Sequence, residues 1–526
     1  MRRFNVTGIC VPSKHYMVDI SGKIAQIRKL VDSGDYFTVN RARQYGKTTT
    51  LYELRRHLSN EYLVIKISFE GLGDESFASS EKFCPTFIGQ IVKALGVPAI
   101  RVEQEYIERW QSGIANIANF DMLSEHITNM CREKKIVLMI DEVDKTSNNR
   151  VFLHFLGMLR SKFLSSSAGD DYTFHSVILA GVYDVKNIKL KMMEEGSHTP
   201  AATEGKLYNS PWNIAVDFEV DMSFSPSEIA TMLVEYEADH GTGMDIAEIS
   251  EEIYSYTSGY PFLVSRLCKH TDEKLGRNWT ADGVFEAVQI LLDEANTLFD
   301  DLVKNLENHA ELYNFIYDIL ILGEQMTFAK SNPTIGMGYM YGIIKKGNPY
   351  VCISNRIFEL YIFEYFISKD ETKNRRKVNG TLKRDIVSGG RFDMELCLRK
   401  FAEHYGEIFT DADAEFLERH GRLLFLSYLR PLINGDGFYH IESQFTDLRR
   451  MDIVVDFGRE QFIVELKRWR GEEYERQAYE QLLGYMESKR AEEGYLLVFD
   501  FRREANKERK AEWLELGGKR IFEVVV

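Results

Sequence analysis

The chain has no paired cysteines, no long apolar run and no excess of basic charge, and each lack removes a class of protein. Its six cysteines (Cys10, Cys84, Cys131, Cys268, Cys352 and Cys397) are scattered along the sequence. That spacing excludes a disulfide framework or a zinc knuckle and reads as reduced, mostly buried thiols. Nowhere do about 18 apolar residues follow one another, so no transmembrane helix is expected. After Met1-Arg2-Arg3 the apolar positions alternate and form no stretch of signal-peptide length. The expected compartment is the cytoplasm, with no membrane partner. A net charge of −15 argues against a surface that binds nucleic acid wholesale, so any such contact must be a local patch. Internal repeats and low-complexity tracts are missing as well. No G-x-S-x-G elbow occurs, which leaves serine-hydrolase chemistry without support.

What is present is the composition of a folded protein, 44% apolar and 28% charged over 526 residues. That length is too great for one core and suggests roughly three or four domains. Residues 1–224 alternate β-rich runs with helical stretches: Tyr36–Val39, Leu63–Ile67, Ile136–Ile140 and Ser176–Ala180. Near-continuous aliphatic runs separated by helices predict a parallel sheet covered on both faces. Residues 225–306 read as helical, opening on Ser225-Pro226-Ser227-Glu228, a Ser cap with Pro at the first helical position. In 307–368, helical stretches flank Gly336-Met337-Gly338 and a strand-like Tyr350–Ile353, the pattern of a small winged helix. Residues 369–390 carry Lys369, Lys373, Arg375, Arg376, Lys377, Lys383 and Arg384 among Gly, Asn and Ser. They read as a basic, solvated linker or as a nucleic-acid contact. Residues 391–526 begin with helices and end in strands over Asp452–Phe457, Gln461–Leu466 and Tyr495–Phe499.

Two constellations carry chemistry. Between the first strand and the next helix stands Arg41-Ala42-Arg43-Gln44-Tyr45-Gly46-Lys47-Thr48, a phosphate-loop motif with Arg41 where the first glycine belongs. Amides opening the following helix would cradle phosphate oxygens, Lys47 would reach the outer phosphates, and the Thr48 hydroxyl would hold Mg²⁺. Only glycine accepts some loop conformations without strain. Arg41 therefore implies a different path into the turn, with either added charge near the phosphates or binding without efficient turnover. Some ninety residues on, the apolar run Ile136–Ile140 ends in Asp141-Glu142. Asp141 would join the Mg²⁺ shell and Glu142 would polarise the attacking water. In the C-terminal part, Asp452 is followed by Glu465-Leu466-Lys467. Residues two apart on a strand share a face. Glu465 and Lys467 would therefore converge with Asp452 if its strand lies alongside, a metal site for phosphodiester hydrolysis. Gln481, on the helix that follows, would line the same cleft.

The loop, with Arg-x-Arg before an aromatic and Gly-Lys, resembles that of prokaryotic AAA-like ATPases. These are related to the archaeal ATPases and to the signal-transducing NTPases with numerous domains. Ile178–Asn187, Asn209–Ile214 and Thr257-Ser258-Gly259-Tyr260-Pro261-Phe262-Leu263 fit the same family. The resemblance implies a P-loop NTPase core, a helical lid and a winged helix, with ATP and Mg²⁺ as cofactors. Its nucleotide contacts would be Arg43, Gln44, Tyr45, Gly46, Lys47, Thr48, Thr49 and Asp141, with Asp184 and Asn187 as sensor candidates. The C-terminal stretch from Phe416 to Phe501 resembles the PD-(D/E)XK nuclease-like domains fused to such ATPases. That likeness implies an α/β restriction-endonuclease-like fold with Asp452 and Glu465 as metal acids, Lys467 as the lysine and Glu418 as a helix-one glutamate. Mg²⁺ or Mn²⁺ would serve there, and Arg450 stands where the motif's proline would be. The expectation is an α/β protein, homo-oligomeric, whose nucleotide state regulates cleavage of nucleic acid, DNA rather than RNA, in prokaryotic defence or mobile-element biology. The alternative is a nucleotide-dependent signalling or scaffold protein whose nuclease-like domain does not cut.

Overall fold

The computed structural model describes residues 2–98, 100–143, 149–182, 212–321, 324–374, 385–408, 425–426, 428–430, 432–433, 437–441, 453–458, 460–468, 472–489, 491–500 and 510–526. The chain divides into two units, Met1–Leu298 with Lys330–Ile343, and Phe299–Ala329 with Ile344–Val526. Among the described residues no helix is long and apolar enough to cross a membrane.

In the first unit, β1 (Phe37–Asn40), β2 (Leu63–Ser68), β3 (Ile136–Asp141) and β4 (Ser176–Gly181) form a parallel sheet in the order β1-β4-β3-β2. Successive side chains of a strand face opposite ways, and here both ways lead into apolar cores. Ile136, Leu138 and Ile140 of β3 pack with Phe83, Trp110 and Phe155 from α3 (Ser80–Leu95), α4 (Gln104–Asn116) and α6 (Arg150–Ser167). Helix α5 (Phe120–Cys131) adds Leu123 and Ile127 to that face. Val137 and Met139 pack on the other face with α1 (Ser21–Asp32) and with Leu51, Leu54 and Leu58 of α2 (Lys47–Leu58). The continuous aliphatic runs are therefore the signature of a sheet with no wet face. Because the strands are parallel, the loop after β1 and the acids ending β3 emerge at one edge, where α/β folds bind ligands.

Four helices follow: α7 (Pro226–His240), α8 (Ile246–Thr257), α9 (Pro261–Glu273) and α10 (Ala281–Leu292). Helix α7 starts as its sequence predicts. Ser225 Oγ accepts the Glu228 amide, the Glu228 carboxylate accepts the Ser225 amide, and Pro226 needs no partner for a missing N–H. Between α8 and α9 the chain reverses through Ser258 and Gly259, both at positive φ. Phe224 donates its amide to the Gly259 carbonyl at 2.8 Å, and a Cβ on Gly259 would stand 1.9 Å from the Phe224 oxygen. Glycine is required there on two counts, handedness and space.

Helix α11 (Thr297–Asn308) runs from the first set of residues into the second, and α13 (Pro333–Met340) belongs with the first unit. The second unit holds α12 (Ala310–Leu320), the short ladder β5 (Ile344–Lys346) with β6 (Val351–Ile353), and α14 (Arg356–Asn374). Lys369, expected to open a linker, lies within α14 and pairs with Glu307 at 2.5 Å. Residues 375–384 lie outside the described residues. Beyond them, β7 (Val387–Ser388) and β8 (Arg391–Phe392) form a hairpin on Gly389-Gly390, both at positive φ. A two-residue turn of that kind matches the twist of the strands it joins.

After α15 (Met394–Ile408) come β9 (Gly437–Ile441), β10 (Ile453–Phe457), β11 (Glu460–Arg468), α16 (Glu472–Ser488), β12 (Glu493–Phe499), β13 (Ala511–Leu516) and β14 (Lys519–Val525). These six strands make a mixed sheet in the order β13-β14-β12-β11-β10-β9. The strands β11, β12 and β14 run parallel at its centre. Ala478, Leu482 and Met486 of α16 cover Val454, Ile463, Leu496 and Ile521 on one face.

Gly259→Ala is expected to cost roughly 2–4 kcal/mol, because the clash is with backbone that cannot yield. Gly241→Ala, at φ +60° with open space around its Cβ, should cost only about 1 kcal/mol. Urea-unfolding midpoints of the two variants check the difference. Equal midpoints would mean that the turn relaxes.

Candidate functional site

The loop after β1 is shaped by a buried ammonium and a left-handed glycine. Gly46 stands at φ 76°, ψ 6° immediately before α2, and no side chain caps that helix start. Its first amides lie at the positive end of the helix dipole, an arrangement suited to an anion. Lys47 is buried and folds back over the loop, donating to the carbonyls of Arg41 at 2.7 Å and Ala42 at 2.9 Å. Thr49 Oγ1 accepts the Cys10 amide at 3.3 Å, which brings the N-terminal segment against the same helix.

Arg41, in the place of the expected glycine, is not among the residues at positive φ; within the loop those are Gln44 and Gly46. The left-handed turn has thus moved into the loop, where glutamine adopts φ 57°. The Arg41 guanidinium donates to the Asn40 carbonyl at 2.9 Å and the Val220 carbonyl at 2.8 Å, and lies over the Phe218 ring. Of the two consequences expected from Arg41, extra charge at the phosphates has no geometric support. This side chain braces the end of β1 against the segment holding Phe218 and Val220.

Other parts of the first unit grip the loop. Tyr260 donates its hydroxyl to the Arg43 carbonyl, and its ring meets Tyr45 edge-on with centroids 4.6 Å apart. Burial pushes the Tyr45 phenol up to about 12, so it stays protonated. Pro261 lies 3.8 Å from where a Gly46 Cβ would be. Gln44 Nε2 donates to Thr297 Oγ1 at 2.8 Å, and a Cβ on Gly342 would come within 2.7 Å of Ala42 Cβ. Arg43 itself is exposed.

At the end of β3, Asp141 is almost wholly buried on the face that α2 covers, two residues beyond Met139. Its Oδ1 accepts the Glu142 amide at 3.2 Å and its Oδ2 pairs with Lys66 Nζ at 3.1 Å. Glu142 is half-buried at φ 57°, a sparsely populated conformation of the sort that clusters at functional sites. A buried carboxylate facing the helix that bears Thr48 supplies oxygen donors of the type Mg²⁺ takes. The residues here fit that ion. Lys66 was missed from sequence, although a lysine two residues beyond the core residue Val64 on the same strand face was a visible anomaly. Asp184 and Asn187 lie outside the described residues. Trp212, in the matched stretch Asn209–Ile214, is a core residue whose indole donates to Thr38 Oγ1 at 3.1 Å.

In the second unit Glu465 is buried in β11 and its Oε1 pairs with Lys467 Nζ at 2.6 Å. The shared face expected of the two holds. Strand β10 lies beside β11, with Ile453 opposite Val464; Asp452 and Glu418 lie outside the described residues. Gln481 Oε1 and, one helical turn on, Tyr485 Oη are buried without a hydrogen-bond partner among the described residues. Their helix α16 covers the face that carries Ile463 and, two residues on, Glu465. Glu523 of β14 is buried in the same row, across Leu496 from Glu465, and sequence reading did not single it out. Among the described residues no three acids, histidines or cysteines are grouped to hold a metal. Glu465 is thus the one described member of the expected acid set.

Comparison with known proteins bears on the first of these sites. No curated protein matches the chain. Among solved structures, the Walker-type ATPase PABY2304 of Pyrococcus abyssi is similar at 12% identity over 68% of this chain and 99% of that one, with a TM-score of 0.48. The ADP form of the Aeropyrum pernix ORC2 protein gives 13% over 71% and 97%, with a TM-score of 0.33. Cdc6p from Pyrobaculum aerophilum gives 13% over 68% and 94%, with a TM-score of 0.29. A family model described as an AAA-like domain matches residues 7–364, which take in the sheet, the loop at Gly46-Lys47, Asp141 and the helices that follow. That span is well over half of the chain, and the chain belongs to the AAA-like domain family.

Proposed function

We propose that this protein binds and hydrolyses ATP, and that its nucleotide state governs a metal-dependent nuclease in the C-terminal unit, in a homo-oligomer. The observation that carries the first part is the emergence of Gly46-Lys47-Thr48 and Asp141-Glu142 at one edge of a parallel sheet. Lys47 donates to two loop carbonyls, and phosphate oxygens, which carry full charge, are stronger acceptors that can take their place. The uncapped start of α2 supplies amides for the same phosphates. Thr48 and Asp141 would hold Mg²⁺, which when bound neutralises charge on the transferring phosphoryl group. Glu142, its backbone held left-handed beside Asp141, would orient the attacking water. The seven residues Arg43 to Thr49, together with Asp141, would form the nucleotide-binding set. Arg43, Gln44 and Tyr45 shape the loop through backbone and packing.

The nuclease reading draws support from the buried Glu465–Lys467 pair and from the neighbouring β10, whose first residue follows Asp452 in the chain. A charged pair interrupting apolar strands costs desolvation and calls for a purpose. Lys467 would orient or stabilise the attacking oxygen, with Asp452 and Glu465 as the metal acids, Glu418 as the helix-one glutamate, Gln481 lining the cleft, and Mg²⁺ or Mn²⁺ as the metal. DNA is the proposed substrate ahead of RNA, and defence or mobile-element biology the proposed setting. A signalling or scaffold role with a non-cleaving domain is the alternative outcome of the test.

Lys47→Ala is expected to weaken ATP binding roughly 10- to 100-fold, the scale of losing charge-assisted hydrogen bonds. Glu142→Gln should leave binding intact and slow hydrolysis by roughly 10²–10⁴-fold. Fluorescent-nucleotide titration and phosphate release separate the two, and undiminished turnover in the glutamine variant would show that Glu142 is not the base.

For the second unit, full-length protein with Mg²⁺ or Mn²⁺ should cut DNA, with the rate set by whether ATP or a non-hydrolysable analogue is bound. Asp452→Ala and Lys467→Ala should each lower cleavage by roughly 10²-fold or more. Cutting that survives both substitutions belongs to some other activity. No cutting under any nucleotide favours the scaffold role.

A further inference from the structure

We propose that Lys66 is a positioning residue of the nucleotide site: its ammonium is the resident counter-ion of Asp141, and a divalent cation must share that carboxylate with it or displace it. The inference rests on the reading of Asp141 as a metal-holding acid.

The register shows how Lys66 reaches its partner. Ser68 of β2 stands opposite Asp141, and Lys66 stands opposite Met139, two residues earlier on the same face. The four-carbon stem of Lys66 spans that step and delivers its ammonium to Asp141 Oδ2 at 3.1 Å. Both groups are largely shielded from water, with side chains 16% and 4% exposed. The other oxygen, Oδ1, takes the Glu142 amide. Both oxygens of the carboxylate are therefore engaged before any ligand arrives.

Packing alone does not account for a lysine at this position. Val64, its neighbour on the same face of β2, belongs to the core with Val137, Met139 and Leu54. An aliphatic residue would continue that pattern, whereas lysine has to be desolvated to sit there. The gain is electrostatic. A buried carboxylate without a counter-charge is costly, and Lys66 satisfies Asp141 while the site is empty of metal. It does so at the expense of attraction for a divalent ion, because two cations then compete for one charge at low effective dielectric. Lys66 thus sets the metal affinity of the site and keeps Asp141 aimed along its strand face.

The test is Mn²⁺ titration, followed by electron paramagnetic resonance, of full-length protein saturated with ADP, corrected for ADP alone. Lys66→Met and Lys66→Gln remove the charge; the glutamine amide can still hydrogen-bond Asp141, so it covers the case in which the methionine variant does not fold. Each is expected to bind Mn²⁺ roughly tenfold tighter or more, with metal-free ADP affinity within about threefold of wild type. Lys66→Arg should restore the wild-type metal affinity. Unchanged or weaker Mn²⁺ binding in the neutral variants overturns the proposal, and so does tighter binding in the arginine variant. Asp141→Asn tells this failure from that of the parent reading. If Asp141→Asn leaves Mn²⁺ affinity untouched, Asp141 is not a metal acid. If it impairs binding while the neutral Lys66 variants stay at wild-type affinity, only the role of Lys66 falls.

Discussion

The ammonium of Lys47 is buried, and a charge withdrawn from water has to be met by something. Here the carbonyls of Arg41 and Ala42 meet it, and that choice forces the shape of the loop. To bring two carbonyls back over the first turn of α2, the chain must reverse twice within a few residues. It does so with left-handed backbone at Gln44 and again at Gly46. A non-glycine residue at φ 57° carries a strain of roughly 1–3 kcal/mol, which persists only where the surroundings over-determine the conformation. The surroundings do so here. Gln44 is tied to Thr297, Arg43 to Tyr260, Arg41 to Val220, and Ala42 is crowded by Gly342. A ligand that draws Lys47 off its carbonyls therefore acts on a loop fastened at four distant points of the sequence.

The same constraint explains the loss of the first glycine. Where that residue supplies a left-handed hinge at the mouth of the loop, Gly is the only inexpensive choice. In this chain the hinge lies three residues later, so position 41 runs in ordinary backbone and can carry a long side chain. Arg41 uses that freedom to clamp β1 to the segment containing Phe218 and Val220. It contributes rigidity at the strand end and directs its donors to carbonyls.

Much of this could be read in the sequence, and the parts that could not share a cause. The strands at Phe37, Leu63, Ile136 and Ser176, the capping box at Ser225 and the turn at Gly259 are local: each is written in fewer than about ten consecutive residues. The Glu465–Lys467 pair was equally legible, since period-two geometry puts alternate residues on one face. Lys66 was not, because its meaning depends on which strand lies beside β2 and in what register. Glu523 was hidden for the same reason, its relation to Glu465 passing through Leu496 on the strand between. The strands β7, β8, β13 and β14 are a different case. Gly389-Gly390 and Gly517-Gly518 are two-residue hairpin signals. In the first, the surrounding basic charge masked the turn chemistry. The second lies in a C-terminal stretch already rich in strand patterns.

Two lysines lie close to the chemistry of the first unit, and the partners each holds decide what it can do. Lys66 is paired with a carboxylate, so together with Asp141 it is electrically neutral. Its field is short-ranged, and separating the pair is costly in a buried site. Lys47 donates to two carbonyl dipoles of the loop, which help to offset its desolvation. Beside it the α2 N-terminus carries roughly half a positive charge, in a chain whose net charge is −15. A polyphosphate meets attraction at this place against a background that repels it, so the acidic composition sharpens the site's selectivity for position. Exchanging the two kinds of partner would spoil both functions. A carboxylate in place of the Arg41 and Ala42 carbonyls would compete with phosphate for Lys47, and carbonyls on Lys66 would leave Asp141 buried and unmatched.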